Sequence, residues 1–211
     1  MLSKSKILEI MEVFEKENPN PQCELNYSNA YTLLVAVVLS AQATDKGVNK
    51  ATQELFKKVD SPEKMLELGE EKLKQYIKSI GLFNNKAKNI ILMSEELVSK
   101  HGSVVPDDRN ALESLAGVGR KTANVVLNVW YKKPTLAVDT HVMRISHRLG
   151  FSSAKTPLGI ELDLIKILPD KYILNANHWL VLFGRYVCKA KKPECDNCKI
   201  AKYCNSVDKI L

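Results

Sequence analysis

The chain has 211 residues, of which 45% are hydrophobic and 26% are charged, a balance typical of a globular protein. No run approaches the ~18 consecutive apolar residues of a membrane-spanning helix. Because Glu9 and Glu12 interrupt the first apolar stretch, we expect no secretory signal, no membrane association and a cytoplasmic location. The net charge of +7 favours polyanionic partners, with nucleic acid first among them.

Apolar residues recur at helical spacing along almost the whole chain. The first predicted helix carries Ile7, Met11 and Phe14 and ends before Pro19. The second spans about 29–42 and is apolar nearly all round, which predicts a central position. A third helix is predicted to be capped by Thr44 or Asp45 and to extend to Phe56, and a fourth to begin at Ser61-Pro62. Two more are predicted to end at Gly81 and at Gly102. The remaining helices are predicted at about 108–115, 120–130, 139–148, 157–168 and 175–187. No stretch alternates as a strand does, so the sequence predicts an all-α fold.

A two-glycine hairpin lies between two predicted helices in the segment from Leu115 to Ala123. Glycines such as Gly117 and Gly119 are needed where the chain turns tightly or where backbone approaches another surface closely. The amide groups at the start of the second helix, beside Arg120, would form a phosphate site. We interpret the hairpin as a sequence-independent grip on a nucleic-acid backbone. A glycine-capped turn between two packed helices is the alternative.

Two side chains near this hairpin are candidates for chemistry. Lys121 lies in the first turn of the second helix, where the helix dipole and Arg120 both disfavour a charged amine. A neutral amine can form a Schiff base, whereas a solvated or phosphate-contacting lysine is the alternative. Asp139 is predicted to cap a later helix, and a cap holds its carboxylate in one place, which is compatible with catalysis. His141, in the same turn, is expected to be structural.

Four of the five cysteines crowd together near the C-terminus with six, two and five residues between them. Since no export signal is expected, disulfides are not expected either, and the set is interpreted as a metal site, either zinc or iron–sulfur. The metal ligands would be Cys188, Cys195, Cys198 and Cys204. Cys23 stands alone and is expected to be a small buried hydrophobe. The same loop is rich in basic residues, including Lys191, which a metal centre would present rigidly.

Four motifs, in this order and at these distances, resemble the endonuclease III family, bifunctional DNA glycosylases of the helix-hairpin-helix superfamily. They are the segment from Leu39 to Asp45, the hairpin from Leu115 to Asn128, the segment from Val138 to Val142 and the four-cysteine loop. The resemblance covers nearly the whole chain. Ala116 departs from it, because family members often carry proline there, and this alanine is expected to loosen the hairpin slightly.

The resemblance implies two helical domains. One would be a six-helix domain at about 22–132 that contains the helix-hairpin-helix at about 108–130. The other would combine residues 1–21 and 133–211 and would carry a [4Fe-4S] cluster loop at 188–204, held by the four cysteines. The active site of such a protein would lie in the cleft between the domains.

The resemblance also implies roles for single residues. Lys121 would be the nucleophile and Asp139 the catalytic carboxylate. Gln42 and Leu82 match positions that fill the gap left by an extruded nucleotide and wedge the opposite strand. The remaining contacts to DNA would come from the hairpin and the cluster loop, through Gly117, Gly119, Arg120 and Lys191.

The implied substrate is double-stranded DNA that contains damaged pyrimidines or abasic sites. Oxidised or ring-saturated bases would be removed through a Schiff base on Lys121, and β-elimination would then cleave the strand. Monofunctional relatives that act on mispaired adenine lack this lysine. We expect a bacterial, monomeric protein that associates with the nucleoid through DNA.

Two hypotheses from other classes stay open at this point. A non-enzymatic DNA-binding module would use the hairpin and the basic loop alone, with salt-sensitive binding and no strand cleavage. An electron-transfer iron–sulfur protein would lack DNA affinity and would leave the hairpin and Asp139 unexplained.

Overall fold

The computed structural model describes residues 2–204, 206, 207 and 209, and this part of the chain is helical and contains no strand, as predicted. None of its helices is both long enough and apolar enough to cross a lipid bilayer. The helices are α1 (Lys4–Glu17), α2 (Ala30–Ser40), α3 (Asp45–Thr52), α4 (Pro62–Leu68), α5 (Glu70–Ile77), α6 (Phe83–His101), α7 (Arg109–Glu113), α8 (Arg120–Val129), α9 (Thr140–Arg148), α10 (Pro157–Ile167) and α11 (Asp170–Tyr186), with a short 3-10 helix at Ala201–Tyr203.

The helices group into two compact units. The hairpin unit consists of residues 23–132 and contains α2 to α8. The cysteine unit consists of residues 1–22 and 133–211, and it joins α1 to α9, α10, α11 and the 3-10 helix. Each unit has its own buried apolar cluster, which is the property that defines a domain core.

Helix α2 is the centre of the hairpin unit, as its apolar sequence predicts. Every residue from Tyr31 to Leu39 is buried, and the helix packs against α3, α6 and α8. Its N-terminus is closed by a capping box, in which Asn29 and Thr32 each accept a hydrogen bond from the other's backbone amide. The capping box supplies protein partners for backbone groups that the helix itself leaves unsatisfied at this end.

The cysteine unit is held together by aromatic side chains that join α1 to α11. Phe14 packs edge-on against Phe183, with ring centroids 5.2 Å apart, and stacks on Trp179 at 6.3 Å. The indole Nε1 of Trp179 donates to the Asn18 carbonyl oxygen at 2.8 Å, so the ring's polar atom is satisfied as well. These contacts fix the N-terminal helix onto a helix more than 150 residues away in the chain.

Most of the predicted helix starts are confirmed. Thr44, Ser61 and Asp139 are N-caps whose side chains accept a hydrogen bond from the third residue beyond them. Gly102 ends α6 in the left-handed conformation, as predicted.

Three predicted helix boundaries are wrong. Helix α3 ends at Thr52, and the turns that follow it carry the chain to Phe56 and beyond. The helix expected to end at Gly81 ends at Ile77, and the left-handed residue of this connection is Leu82 rather than the glycine. Helix α11 begins at Asp170, five residues early, because Pro169 stands just outside it and the Asp170 carboxylate favours a helix N-terminus.

Candidate functional site

The fold requires glycine at one of the two glycine positions of the hairpin and not at the other. Gly117 has φ +76°, and a Cβ built on it would lie 2.9 Å from the Asn89 Cβ of α6, so both the turn and the packing require glycine. Gly119 has φ −99°, and a Cβ there would meet nothing within 4 Å. The fold therefore does not require glycine at 119, whereas close approach of an external group to the backbone would.

The hairpin is tied to α6 through its alanine. The backbone amide of Ala116 donates to Oε2 of Glu96 at 2.8 Å, and Oε1 of the same carboxylate accepts from Lys100 Nζ at 3.3 Å. Proline has no N–H and could not make the first of these bonds. The expected loosening at position 116 is thus offset by a hydrogen bond that the family's usual proline cannot form.

The first turn of α8 presents basic groups beside unshielded backbone. Gly119 is the N-cap and supplies no capping side chain. Lys121, the second residue of the helix, is exposed, and the Arg120 guanidinium lies 4.0 Å from the Glu113 carboxylate of α7. This arrangement combines a helix N-terminus with an accessible amine, which suits an anionic ligand.

Asp139 belongs to the cysteine unit, where it begins α9. Its Oδ1 accepts a hydrogen bond from the Val142 amide at 2.8 Å, which confirms the predicted N-cap and fixes one carboxylate oxygen. His141 bonds through Nδ1 to Nη2 of Arg144 at 3.2 Å, and the same Nη2 donates to the Gly184 carbonyl oxygen at 2.7 Å. His141 therefore contributes to the contact between α9 and α11, in keeping with the structural role expected for it.

Gln42 and Leu82 share an unusual backbone conformation. Gln42 has φ +56° and Leu82 has φ +59°, although neither is glycine. Both side chains are exposed, and Leu82 keeps 59% of its surface accessible, a large fraction for an apolar residue. Strained backbone of this kind persists where the surrounding structure enforces it, and it concentrates at functional positions.

The four C-terminal cysteines are brought together around one small pocket. Its apolar wall is formed by Leu149, Phe183, Val187, Pro193 and Ala201. Burial raises the pKa of the Cys198 thiol; a backbone hydrogen bond from Ile200 lowers it, and the charges of the other three cysteines raise it further. Four neighbouring thiolates would repel one another, so a cationic centre is needed if all four sulfurs are to be deprotonated. Lys191, on the same loop, is exposed.

The four sulfurs are a donor set for a thiolate-bound metal centre. Within the described residues, no three His, Cys, Asp or Glu side chains are arranged to hold one metal ion. A tetrahedral zinc site needs its four sulfurs within about 2.3 Å of one point. In an iron–sulfur cluster each cysteine binds its own iron, so four cysteines around one pocket are a donor set that either kind of centre could use.

Two arginines that the sequence analysis missed fasten the cysteine loop. Arg148 Nη1 donates to the Cys188 Sγ at 3.3 Å and to the Lys189 carbonyl oxygen at 2.7 Å. Arg144 Nε donates to the Cys188 carbonyl oxygen at 3.2 Å. The only local signal was their spacing of four, which places both on one face of α9.

The strain at position 42 can be measured by a paired glycine substitution. Gln42→Gly should leave the free energy of unfolding unchanged or raise it by up to about 1 kcal/mol, because glycine escapes a left-handed cost of about 1–2 kcal/mol. Gln53→Gly is the matched control, because Gln53 is also exposed but has φ −53°. This control should lose about 0.5–1 kcal/mol in urea denaturation. Equal losses in the two variants would contradict strain at Gln42.

Comparison with known proteins supports the resemblance inferred from the motifs. A family model described as the HhH-GPD superfamily base excision DNA repair protein matches residues 35–170. The chain is 58% identical to endonuclease III of Rickettsia conorii over 93% of each chain. It is 49% identical to endonuclease III of Escherichia coli over 99% of each chain.

Solved structures agree with the sequence comparison. A trapped endonuclease III–DNA covalent intermediate matches with a TM-score of 0.92 and 45% identity, covering 97% of both chains. A non-covalent endonuclease III–DNA complex matches with the same TM-score and 44% identity, covering 97% of this chain and 96% of the other. These matches do not favour a non-enzymatic DNA-binding module. The chain therefore belongs to the endonuclease III family, DNA glycosylases and AP lyases of the HhH-GPD superfamily.

Proposed function

We propose that this glycosylase removes oxidised or ring-saturated pyrimidines from double-stranded DNA and cleaves the abasic site with Lys121 as its nucleophile. The observation that carries the proposal is the exposed Lys121 amine at the uncapped first turn of α8. A related structure of 45% identity is a trapped covalent intermediate with DNA, which is the kind of bond that an amine nucleophile forms. The bacterial relatives support a cytoplasmic enzyme.

The proposed reaction begins at C1′ of the damaged nucleotide. After losing a proton to solvent, the Lys121 Nζ forms a bond to C1′ while the bond from C1′ to the base breaks, and the base leaves with the electron pair and takes up a proton. The Asp139 carboxylate, held by its bond to the Val142 amide, stabilises the positive charge that develops on the sugar. Breaking of the C1′–O4′ bond, with transfer of a proton from Nζ to O4′, gives the protonated Schiff base. Loss of a C2′ proton then drives β-elimination, in which the bond from C3′ to its oxygen breaks and the phosphate leaves with the electron pair.

DNA binding is assigned to the hairpin and to the cysteine loop. The backbone around Gly117 and Gly119, together with Arg120, would bind phosphates at the hairpin. Lys191, on the cysteine loop, would bind other phosphates of the DNA backbone. Gln42 and Leu82 would occupy the space left by the extruded nucleotide and part the opposite strand. Extrusion costs a few kcal/mol, less for a damaged base, so it contributes to substrate selection.

The four cysteines would hold a [4Fe-4S] cluster. Support comes from their placement around one apolar-walled pocket and from membership of the endonuclease III family, for which this cluster is expected. When bound, the cluster supplies a covalent cross-link between the end of α11 and the C-terminal loop. Arg148, through Cys188 and Lys189, holds the same loop from α9 and so helps to present the basic residues.

The nucleophile can be tested by reductive trapping. A duplex carrying one oxidised thymine is mixed with the protein and sodium borohydride, and a covalent adduct is expected. Lys121→Ala should bind the duplex and give no adduct, whereas Lys50→Ala, which removes an exposed lysine of α3, should trap as the wild type does. An adduct with Lys121→Ala would place the nucleophile elsewhere, and free base without any adduct would indicate a monofunctional glycosylase.

The two hairpin glycines allow binding to be separated from folding. Gly119→Ser should fold as stably as the wild type, since serine is a better N-cap, yet lose about tenfold in affinity, or ~1.4 kcal/mol, because its side chain blocks the approach of a phosphate. Gly117→Ala should lose about 2 kcal/mol or more of stability. Fluorescence anisotropy with an abasic-analogue duplex measures the affinity. Unchanged affinity in Gly119→Ser would remove the hairpin from the interface.

The cofactor can be tested by removing one thiol from the set. Cys198→Ala should lose iron, visible absorbance, stability and DNA binding together, whereas Cys23→Ala should keep about four irons per chain. Metal analysis of both purified variants decides the point. A well-folded, iron-free and fully active Cys198→Ala protein would contradict the assignment, as would zinc in place of iron in the wild type.

A further inference from the structure

Lys86 is a cation in the core of the hairpin unit. It lies in α6 and only 6% of its surface is accessible. Its Nζ donates to the carbonyl oxygens of Leu39 at 2.9 Å and of Ala41 at 2.6 Å. Burial lowers its pKa, which reflects the cost of keeping a charge away from water. Because it is buried, the Lys86 ammonium does not contribute to the solvated surface, and its two hydrogen bonds indicate a role inside the unit.

Lys86 supplies hydrogen-bond donors to the C-terminal end of α2. The helix is buried from Tyr31 to Leu39, so the Leu39 carbonyl needs a protein partner, and a cation is favoured at the negative end of the helix dipole. The Ala41 carbonyl belongs to the peptide unit that enters Gln42. A hydrogen bond that fixes this peptide plane therefore restrains the left-handed φ of Gln42.

Lys86 also takes part in the first turn of α6. The backbone amide of Lys86 donates to the Leu82 carbonyl oxygen at 3.1 Å, which closes the first turn after the left-handed Leu82. Leu82 and Ala41 are thus bonded to the same residue, one through its amide and the other through its Nζ. Gln42 and Leu82, two of the four non-glycine residues of the unit with positive φ, are therefore connected through a single residue, whereas Ser103 and Lys132 are the other two.

We infer that Lys86 is a positioning residue that holds Gln42 and Leu82 at the spacing needed to keep a nucleotide out of the duplex. The inference rests on the proposed function of those two side chains. Lys86 touches neither the damaged base nor the reacting sugar in this scheme. It acts on extrusion, while the Schiff-base chemistry of Lys121 on an already accessible sugar is independent of it.

Three substitutions separate positioning from general stability. Lys86→Met keeps a long side chain and removes both donors, whereas Lys86→Arg keeps the charge and the donors. Lys88→Met is the matched control, because Lys88 lies on the same helix but is exposed. If Lys86→Met does not fold, Lys86→Gln serves instead, since its amide can still donate to one carbonyl.

The first readout needs no chemistry. A duplex carries a tetrahydrofuran abasic analogue opposite 2-aminopurine, whose fluorescence rises when it is unstacked. Lys86→Met at saturating concentration should give less than about half of the wild-type rise, and Lys86→Arg and Lys88→Met should keep most of it. Because no covalent step is involved, this readout tests the inference even if the wild type gives no borohydride adduct, a result that would overturn only the proposed nucleophile.

The second readout compares two substrates. Lys86→Met should remove an oxidised thymine from duplex DNA about tenfold or more slowly, while its cleavage of a single-stranded abasic oligonucleotide stays within about twofold of the wild type. Adding Lys86→Met to a Gln42→Ala, Leu82→Ala variant should cause no further loss. Equal losses on both substrates, or additive losses in the combined variant, would overturn the inference and make Lys86 a purely structural residue.

Discussion

The burial of α2 from Tyr31 to Leu39 is the constraint on which the hairpin unit depends. A helix with so long a buried segment gains from protein partners for the polar groups near its ends, and these are the capping box at Asn29 and the Lys86 ammonium at the Leu39 and Ala41 carbonyls. The second solution carries a consequence, because it draws α6 to the place where α2 ends. The two chain segments that carry Gln42 and Leu82 are joined by the same contacts that complete the core.

The hairpin, like the end of α2, is supported by residues of α6. Helix α6 supports it twice, once through Asn89, which leaves no room for a Cβ at Gly117, and once through Glu96, which accepts from the Ala116 amide. Gly119 is free of such demands from the protein. One side of the hairpin is thus determined by packing, and the other is open to a ligand. A rigid scaffold below an exposed backbone suits binding to phosphates, whose positions do not depend on the base sequence.

The sequence predicts the fold class and most helix starts because those signals are local. An N-cap such as Ser61 or Asp139 acts within four residues, so its signature can be seen in the chain alone. The left-handed conformation of Leu82 could not be predicted, because Gly81 beside it is the residue that local preference selects. Lys86 was missed for a related reason: its partners lie 45 and 47 residues away, and a lysine in so polar a stretch of sequence normally indicates a solvated face. The motif residues themselves were found through their order and spacing.

The bond between Glu96 and Ala116 links two positions that a comparison of single sites would treat as unrelated. A chain with proline at 116 has no amide to offer, so it gains nothing from an acid at 96, and that position becomes open to apolar residues on the surface of α6. A chain with alanine at 116 gains a hydrogen bond only while the acid is kept. Positions 96 and 116 therefore act as a pair in this chain, whose hairpin is stiffened by a contact rather than by a ring.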